Sequence, residues 1–248
     1  GAVDQICDVY LNKHHIGHNE GGYIPFNFDI TDYLTYEKEV ITLRVEDPSY
    51  DETIPRGKQT WEEKPRIIWY TRTSGIWQSV WLEPIDESSI ISGKYTPDVN
   101  HLSMDFDVEV SNECIGKKLD IYISFKGEKI SHDLIDIDEI RFSRNIRLIK
   151  NKIFQHGFHG RDKTYLWSPD YPNLFDVVFK VVDNQQSYDE VSSYFGLRRI
   201  HTENGLVYLN NKPFYQKLVL NQGYYRQGLL TAPTDEDFIN DIKLMKAM

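Results

Sequence analysis

Short stretches in which apolar and polar residues alternate dominate the first third of the chain. The clearest examples are Ile6/Asp8/Tyr10, Phe26/Phe28/Ile30 and Val40/Thr42/Arg44. Alternation with a period of two residues predicts half-buried β-strands. Asn12-Lys13, Gly17 and Gly21-Gly22 separate these stretches, and such residues favour the positive φ angles of tight hairpins. Residues 1–84 are therefore predicted to form a sandwich or barrel, with a long irregular loop over 47–64.

Better-separated alternating strands follow Pro84. They are predicted over 102–110, 119–126, 129–135 and 177–182, a spacing typical of an immunoglobulin-like sandwich. The segment 165–175 is rich in proline and aromatic residues, which predicts a corner or an edge with Trp167 packed beneath it.

The last region, from 196 to 248, changes character. A hairpin is predicted to turn on Asn210-Asn211, and 215–220 reads as a short buried strand of the kind found in parallel sheets. Thr234 is a good N-cap for a helix with an acidic first turn and an apolar face that includes Phe238 and Ile242. A strand and a helix form one βα unit, whereas a closed barrel takes roughly 250 residues. The chain is therefore expected to be part of a longer protein whose natural N-terminus is also missing.

Composition narrows the classes of ligand. The 248 residues carry a formal net charge of -10 with scattered Lys and Arg, which argues against nucleic acid and favours a neutral or weakly polar ligand. Cys7 and Cys114 are too far apart and too few for a disulfide framework, so both are predicted to be core thiols. No apolar run is long enough for a membrane span. No cofactor and no metal are predicted.

Several motifs resemble those of family 2 glycoside hydrolases, which include β-galactosidases, β-glucuronidases and β-mannosidases. In the first domain they are NEGGYIPFNFDIT (19–31), PRGKQTW (55–61) and YTRTSGIWQSVWLE (70–83). Later motifs are LWSPDYPNLF (166–175), SYFGLR (193–198) and LNNKPFY (209–215). They occur in the family's order and cover nearly the whole chain.

The resemblance implies a mainly β chain with three parts. These are the C-terminal part of a jelly-roll, galactose-binding-like domain (1–84), an immunoglobulin-like β-sandwich (85–195), and the first βα unit of a truncated TIM barrel (196–248). It further implies a parent enzyme that hydrolyses β-linked sugars with retention, using two Glu side chains from later barrel strands. This chain is thus expected to contain no catalytic residue.

The family's acid/base Glu follows an Asn, so the two Asn-Glu pairs of the chain need to be considered. Asn19-Glu20 precedes a glycine turn and Asn112-Glu113 lies in a polar connection. Both are predicted to belong to β-modules rather than to the end of a barrel strand, where barrel active sites lie.

The candidate substrate-binding residues are Asn221, Gln222 and Tyr224, which follow the presumed first barrel strand. Amide side chains can hydrogen-bond sugar hydroxyls, and an aromatic ring, either Tyr224 or Tyr225, can stack on a sugar. The alternative is that these residues only shape the loop. Family members more often have an Asp at the position of Asn221 and a Gly at that of Leu218.

Two other groups allow a functional and a structural interpretation. The first domain has a dense aromatic set whose ring faces can stack on sugars: Trp61, Trp69, Trp77, Trp81 and Tyr70. Trp77 and Trp81 are predicted to be core residues, while Trp61 and Trp69, beside the long loop, are more open to a sugar-stacking role. Arg72 is an equally good candidate for a domain-interface anchor. His14, His15 and His18, and also His156 and His159, are predicted to be solvated loop histidines rather than metal ligands. The acidic stretches 46–52 and 133–139 lack the spacing of a calcium loop.

The favoured hypothesis is a non-catalytic portion of a retaining glycoside hydrolase acting on β-galactosides or β-glucuronides. The alternative is a stand-alone carbohydrate-binding β-sandwich. Either predicts a carbohydrate partner, no nucleic acid and no membrane, is compatible with a homo-oligomer, and fits a cytoplasmic location.

Overall fold

The computed structural model describes residues 1–148, 165–184 and 186–248, and it is mainly β, as predicted. The chain divides into two compact units, one formed by 1–82 with 218–248 and the other by 83–217. Unit 1 contains strands β1 to β5 and helix α1, with bounds Val3–Asp4, Ile6–Leu11, His14–Glu20, Ile41–Glu46, Gly75–Ile76 and Asp235–Ala247. Unit 2 contains strands β6 to β15, with bounds Ile90–Asp98, Ser103–Val110, Lys118–Phe125, Glu128–Asp136, Arg141–Arg147, Phe175–Asp183, Gln186–Phe195, Ile200–Glu203, Leu206–Leu209 and Lys212–Pro213.

In unit 1, an antiparallel sheet has the order β3-β2-β4, and β1 pairs with β5. The β2–β3 hairpin turns on Asn12 and Lys13, whose φ angles are 50° and 74°. Consecutive positive φ angles match the right-handed twist of the flanking strands, as the sequence predicted. Cys7 lies fully buried on β2, and both cysteines are free, so the prediction of two core thiols is confirmed.

The predicted strand at Phe26/Phe28/Ile30 is wrong. Residues 24–30 have no strand pairing, and the ring of Phe28 packs instead over Gly17 of β3. A Cβ at position 17 would lie 2.2 Å from that ring. Gly17 is therefore not a turn residue as predicted. It makes room for an aromatic ring that belongs to an irregular segment.

Unit 2 is a sandwich of two antiparallel sheets, β10-β7-β6 and β12-β11-β8-β9. Alternate residues of β7, β8 and β11 point into one shared core, so all four strands predicted between 102 and 182 are confirmed within one or two residues. Phe106 is fully buried, and its ring lies 5.5 Å from Phe179 and 5.8 Å from Phe195. Burial of each such ring contributes roughly 1.5–3 kcal/mol.

A small sheet, β13-β14-β15, follows the sandwich. As predicted, its second hairpin turns on Asn210 and Asn211, with φ angles of 53° and 62°. Asn210 Nδ2 donates to the Trp167 carbonyl oxygen at 3.0 Å, and the Arg198 guanidinium lies 4.6 Å from the centre of the Trp167 ring. The Trp167 ring thus packs against Arg198 and Gly196, and its predicted place beneath the proline-rich segment stays a prediction.

Helix α1 begins where the sequence predicts. The Thr234 hydroxyl accepts a hydrogen bond from the Asp237 amide, and the Asp237 carboxylate accepts one from the Thr234 amide, which is a complete capping box. The strand predicted over 215–220 does not form, and Leu220 is 87% exposed. A buried parallel strand needs neighbours on both sides, and among the described residues none pairs with this segment.

Candidate functional site

A buried polar network lies in unit 1 beneath the long loop. Gln59 is only 2% exposed; its Oε1 accepts hydrogen bonds from the Thr73 amide at 2.6 Å and from the Thr73 hydroxyl at 3.0 Å. Its Nε2 donates to the Tyr23 hydroxyl at 2.9 Å. Both the oxygen and the nitrogen of the Gln59 side-chain amide therefore have partners. These bonds connect the long loop to the segment 70–77.

Asp4 is the buried charge beside this network. Asp4 is only 7% exposed, and among the described residues no group donates a hydrogen bond to its carboxylate. Burial, and secondarily the nearby Asp47 carboxylate, raises the pKa of Asp4 to about 6, against an opposing effect of Arg56. A carboxyl with this pKa can act as a general acid, so the space around it decides whether it is a catalytic candidate.

The space beside Asp4 is too small for a sugar. The cavity has a volume of about 20 Å³ and is lined by Asp4, Asp47, Ser49, Ile54, Arg56, Gln59, Thr60, Arg72 and Thr73. That volume holds about one water molecule, whereas small-molecule sites take up about 300 Å³ or more. Asp4 and Asp47 are therefore not a glycosidase pair, although they share a cavity.

The three predicted substrate-binding residues lie together on one turn of unit 1. Asn221 and Gln222 are exposed, and Asn221 Oδ1 accepts a hydrogen bond from the Gly223 amide at 2.7 Å. Gly223 has a φ of 68°, which closes the turn. The amide of Gln222 and the free side of Asn221 thus face solvent, where a ligand can reach them.

Tyr224 is held more firmly than its two neighbours. Its ring stacks on Tyr70, with 4.3 Å between the ring centres and 14° between the planes. Its hydroxyl donates to the Thr71 carbonyl oxygen at 2.9 Å. Burial, with smaller effects of Tyr23, Asp4 and Tyr70, raises the pKa of Tyr224 to about 12. The phenol is therefore neutral and anchored, with one ring face already covered by Tyr70.

The tryptophans of unit 1 differ in their environment. Trp61 and Trp69 pack edge to face at 5.1 Å and both are half-buried. Trp77 Nε1 donates to the Gly22 carbonyl oxygen at 2.7 Å. Trp81 is 62% exposed, so its predicted core position is wrong, because β5 ends at Ile76 and the alternation expected over 77–81 has no sheet to follow.

Arg72 lies inside unit 1. Its Nη1 donates to the Ser49 hydroxyl at 2.7 Å, and its guanidinium lies 5.6 Å from the centre of the Tyr50 ring. Arg72 thus helps to fix the long loop, and its role as a domain-interface anchor stays a prediction.

The histidine cluster near the first hairpin is on a strand, not in a loop as predicted. His15 and His18 project from β3 toward Asp8 on β2, and the Asp8 carboxylate lies 3.4 Å and 2.9 Å from their ring nitrogens. The hydrogen bond to His18 is the main cause that lowers the pKa of Asp8. Strand pairing brings Asp8 beside these histidines, and the spacing of the residues along the sequence did not reveal it.

In the part of the chain that the structure describes, no three His, Cys, Asp or Glu side chains are arranged to hold a metal ion. His156 and His159 lie outside the described residues.

The Asn-Glu pairs occupy β-modules. Asn19 and Glu20 are the last residues of β3, and Asn112 and Glu113 lie in a short 3-10 turn of unit 2. A wider trough of about 310 Å³ lies on the outer face of β6, β7 and β10, where Arg141 forms an ion pair with Glu109 at 2.8 Å.

Comparison with known proteins agrees with this architecture. The sequence model of the family described as Glycosyl hydrolases family 2 matches residues 90–198. The resemblance to family 2 is confirmed. A β-galactosidase of Thermoanaerobacter pseudethanolicus is 26% identical over 86% of this chain, and a putative β-glucuronidase of Formosa agariphila is 28% identical over all of it. The chain spans only 27% and 28% of the length of these two relatives.

Solved structures of glycosidases share the fold. A β-glycosidase from Bacteroides vulgatus matches 99% of the chain with a TM-score of 0.71 at 21% identity, and the chain covers 29% of it. A β-glucuronidase from Bifidobacterium dentium, complexed with coumarin-3-O-glucuronide, matches 99% with a TM-score of 0.70 at 19% identity, and the chain covers 43% of it. In the described part of this chain, no helix has the length and apolar character needed to cross a bilayer.

Sequence reasoning missed the centre of this site. Asp4 and Gln59 were not singled out for a role, and Tyr70 was considered only as a member of the aromatic set that could stack on sugar rings. The three residues become neighbours only through folding. Gln59 and Tyr70 do belong to two of the family motifs, PRGKQTW and YTRTSGIWQSVWLE, which was the available signal.

Proposed function

We propose that this chain is the non-catalytic portion of a retaining glycoside hydrolase that cleaves β-linked sugars, either β-galactosides or β-glucuronides. The observation that carries the proposal is the agreement between family, fold and coverage. The relatives named above are a β-galactosidase and a putative β-glucuronidase, and this chain spans little more than a quarter of each.

The chemistry of retention supports the absence of catalytic groups. Two carboxyl groups about 5 Å apart must flank the scissile bond, one to protonate the leaving oxygen and one to attack the anomeric carbon. In the described residues, the perturbed carboxyl of Asp4 faces a water-sized cavity, and both Asn-Glu pairs lie in β-modules. The residues that cleave the sugar are thus expected elsewhere in the parent protein.

The proposed domains are a jelly-roll part (1–84), an immunoglobulin-like sandwich (85–195) and the start of a catalytic barrel (196–248). In this scheme Asn221, Gln222 and Tyr224 form part of the substrate wall. The exposure of Asn221 and Gln222 on a turn anchored by Tyr224 supports that role. The proposal includes a parent protein that is cytoplasmic and can form homo-oligomers. Size-exclusion chromatography with light scattering tests its oligomeric state.

The alternative is a stand-alone carbohydrate-binding sandwich. The half-buried Trp61–Trp69 pair favours it, because aromatic faces stack on sugar rings. The large exposed apolar area on helix α1 speaks against it, since Ile242 is 54% and Leu244 is 66% exposed.

One experiment separates the two functions. The 248-residue chain and the full product of its gene are assayed with nitrophenyl β-galactoside and nitrophenyl β-glucuronide. We expect hydrolysis only by the longer protein. Hydrolysis by the chain alone contradicts the placement of the catalytic groups. If neither protein hydrolyses either substrate but the chain binds oligosaccharides in calorimetry, the alternative is correct.

A further inference from the structure

The turn formed by residues 221–224 presents two side chains to solvent but is itself anchored from one end. Asn221 and Gln222 are exposed, while Tyr224 is half-buried. Amide side chains on an unanchored turn sample many positions, and the ordering of each costs up to about 2 kcal/mol when a ligand binds. The anchor of the turn therefore influences how well these amides can bind a sugar.

Tyr70 supplies the stacking contact of this anchor. Its ring and that of Tyr224 are nearly parallel, with centres 4.3 Å apart. The Tyr224 hydroxyl is fixed separately, by donation to the carbonyl oxygen of Thr71, the residue after Tyr70. The segment 70–71 thus holds both the face and the tip of one side chain.

Tyr70 is itself rigidly placed. Its amide donates to the Lys58 carbonyl oxygen at 2.8 Å, and its carbonyl oxygen accepts from the Thr60 amide at 2.8 Å. Between these two bonds lies Gln59, whose side chain is buried and bonded to Tyr23 and Thr73. An ordered framework therefore stands behind the stacked pair.

Tyr225, the residue after the turn, contacts helix α1. The Tyr225 hydroxyl donates to Asp241 Oδ2 at 3.1 Å, and its ring lies 5.8 Å from that of Phe238. The backbones of Tyr225 and Leu229 exchange hydrogen bonds at 2.8 and 2.9 Å. The helix contact and the Tyr70 contact meet at adjacent residues, so loss of one leaves the turn held at one point only.

We propose that Tyr70 is a positioning residue for substrate binding, which orders the 221–224 turn through Tyr224 so that Asn221 and Gln222 meet sugar hydroxyls in a fixed place. This inference rests on the proposed function, because it takes the turn to be part of the substrate wall. Tyr70 touches no substrate in this scheme. Its effect passes through the stacked ring.

The first test uses the 248-residue chain and needs no activity. Amide exchange at Tyr225 and Leu229 is measured by NMR in the wild type, Tyr70→Ala, Tyr70→Phe and Tyr224→Phe. An aromatic pair of this kind is worth roughly a 2- to 10-fold change in an equilibrium, so exchange should accelerate by about that factor in Tyr70→Ala. Tyr70→Phe keeps the stacked ring and should match the wild type. Tyr194→Ala, which removes an exposed tyrosine of unit 2, is the matched control and should change nothing at these two amides.

The second test uses the full gene product with the better of the two nitrophenyl glycosides. Interactions that bind substrate and transition state equally affect KM rather than kcat. We expect Tyr70→Ala to raise KM about 2- to 10-fold with kcat within about twofold of the wild type, and Tyr70→Phe to restore KM. A merely structural role lowers the amount of folded enzyme, and so lowers apparent kcat with KM unchanged.

The outcomes distinguish this inference from the proposed function. Faster exchange with unchanged KM, in an enzyme that hydrolyses the glycoside, overturns the positioning role and leaves the proposed function intact. Unchanged exchange in both Tyr70→Ala and Tyr224→Phe overturns the anchor itself. If Tyr70→Ala does not fold, Tyr70→Leu takes its place, because it keeps an apolar side chain of similar length but removes the stacked ring. A gene product without hydrolase activity rejects the proposed function, and with it the assignment of a substrate wall.

Discussion

Replacement of Asp4 by Asn should stabilise unit 1 at neutral pH and remove part of its pH dependence. Burial raises the pKa of Asp4 from 3.8 to about 6 in the folded protein, a shift of about two units. Each unit corresponds to 1.36 kcal/mol, so the ionised carboxylate costs the folded state up to about 3 kcal/mol. That value is an upper bound, because Arg56 can relax around the charge and the adjacent cavity is large enough to admit a water molecule.

The direction of the pH effect follows from proton binding. Between pH 3.8 and about 6 the folded state holds a proton on Asp4 that the unfolded state has already released. The stability associated with protonated Asp4 is therefore complete below the unfolded pKa, and it is lost as pH rises through the folded pKa. Above pH 6 this contribution stays constant. In Asp4→Asn the contribution is absent, so the difference between variant and wild type should grow from pH 4 to pH 6 and then level off.

The assay is urea unfolding followed by tryptophan fluorescence at several pH values between 4 and 8. Four of the five tryptophans, Trp61, Trp69, Trp77 and Trp81, belong to unit 1, so the signal reports mainly on that unit. Asp138→Asn, an exposed position in unit 2, is the control and should leave the curve unchanged. If the free energies of unfolding of the wild type and Asp4→Asn run parallel over this range, the Asp4 carboxyl is not desolvated as the structure indicates.

Three further substitutions test packing and turn chemistry by urea unfolding, followed by tryptophan fluorescence for unit 1 and by circular dichroism for unit 2. Gly17→Ala places a Cβ 2.2 Å from the Phe28 ring and should cost about 1–3 kcal/mol; a cost below about 0.5 kcal/mol shows that the ring moves freely. Phe106→Ala leaves a cavity in the centre of the unit 2 core and should lower the free energy of unfolding by about 3–5 kcal/mol, measured by circular dichroism. A cooperative transition with the same urea midpoint as the wild type contradicts this. Asn210→Gly keeps the positive φ but loses the bonds to Trp167 and Arg199, so it should cost about 1–3 kcal/mol; a neutral effect shows that the side chain is dispensable.

The sandwich of unit 2 was predictable because its signal is local. Each strand buries every second residue against one core, as in β7, where Met104, Phe106, Val108 and Val110 are all buried. The hairpin at Asn210-Asn211 and the Thr234 cap are also local, since a few adjacent residues determine them. Period-two alternation alone was insufficient at Phe26/Phe28/Ile30, because the same pattern fits an irregular segment whose aromatic rings pack on a neighbouring sheet.

The segment 215–220 failed for a different reason. Its apolar residues satisfy the pattern of a buried strand, but a strand forms only where another backbone accepts its hydrogen bonds. In the described residues that partner is absent, and Leu218 and Leu220 are exposed. The apolar pattern indicates that a segment can form a buried strand, but the strand forms only if another strand lies beside it.

The candidate site depended on the least local information of all. Asn221, Gln222 and Tyr224 were selected because they follow an expected strand, yet the structure groups them through a contact between Tyr224 and Tyr70, far apart along the chain. No periodicity encodes that contact. It arises because the paired backbone of residues 58–60 holds Tyr70 in place, and because Gly223 closes a turn that points Tyr224 at it. If substrate recognition depends on this turn, its determinants lie in residues 58–71 of the same unit as much as on the turn itself, and substitutions at Tyr70 should alter sugar binding as strongly as substitutions at Asn221 or Gln222.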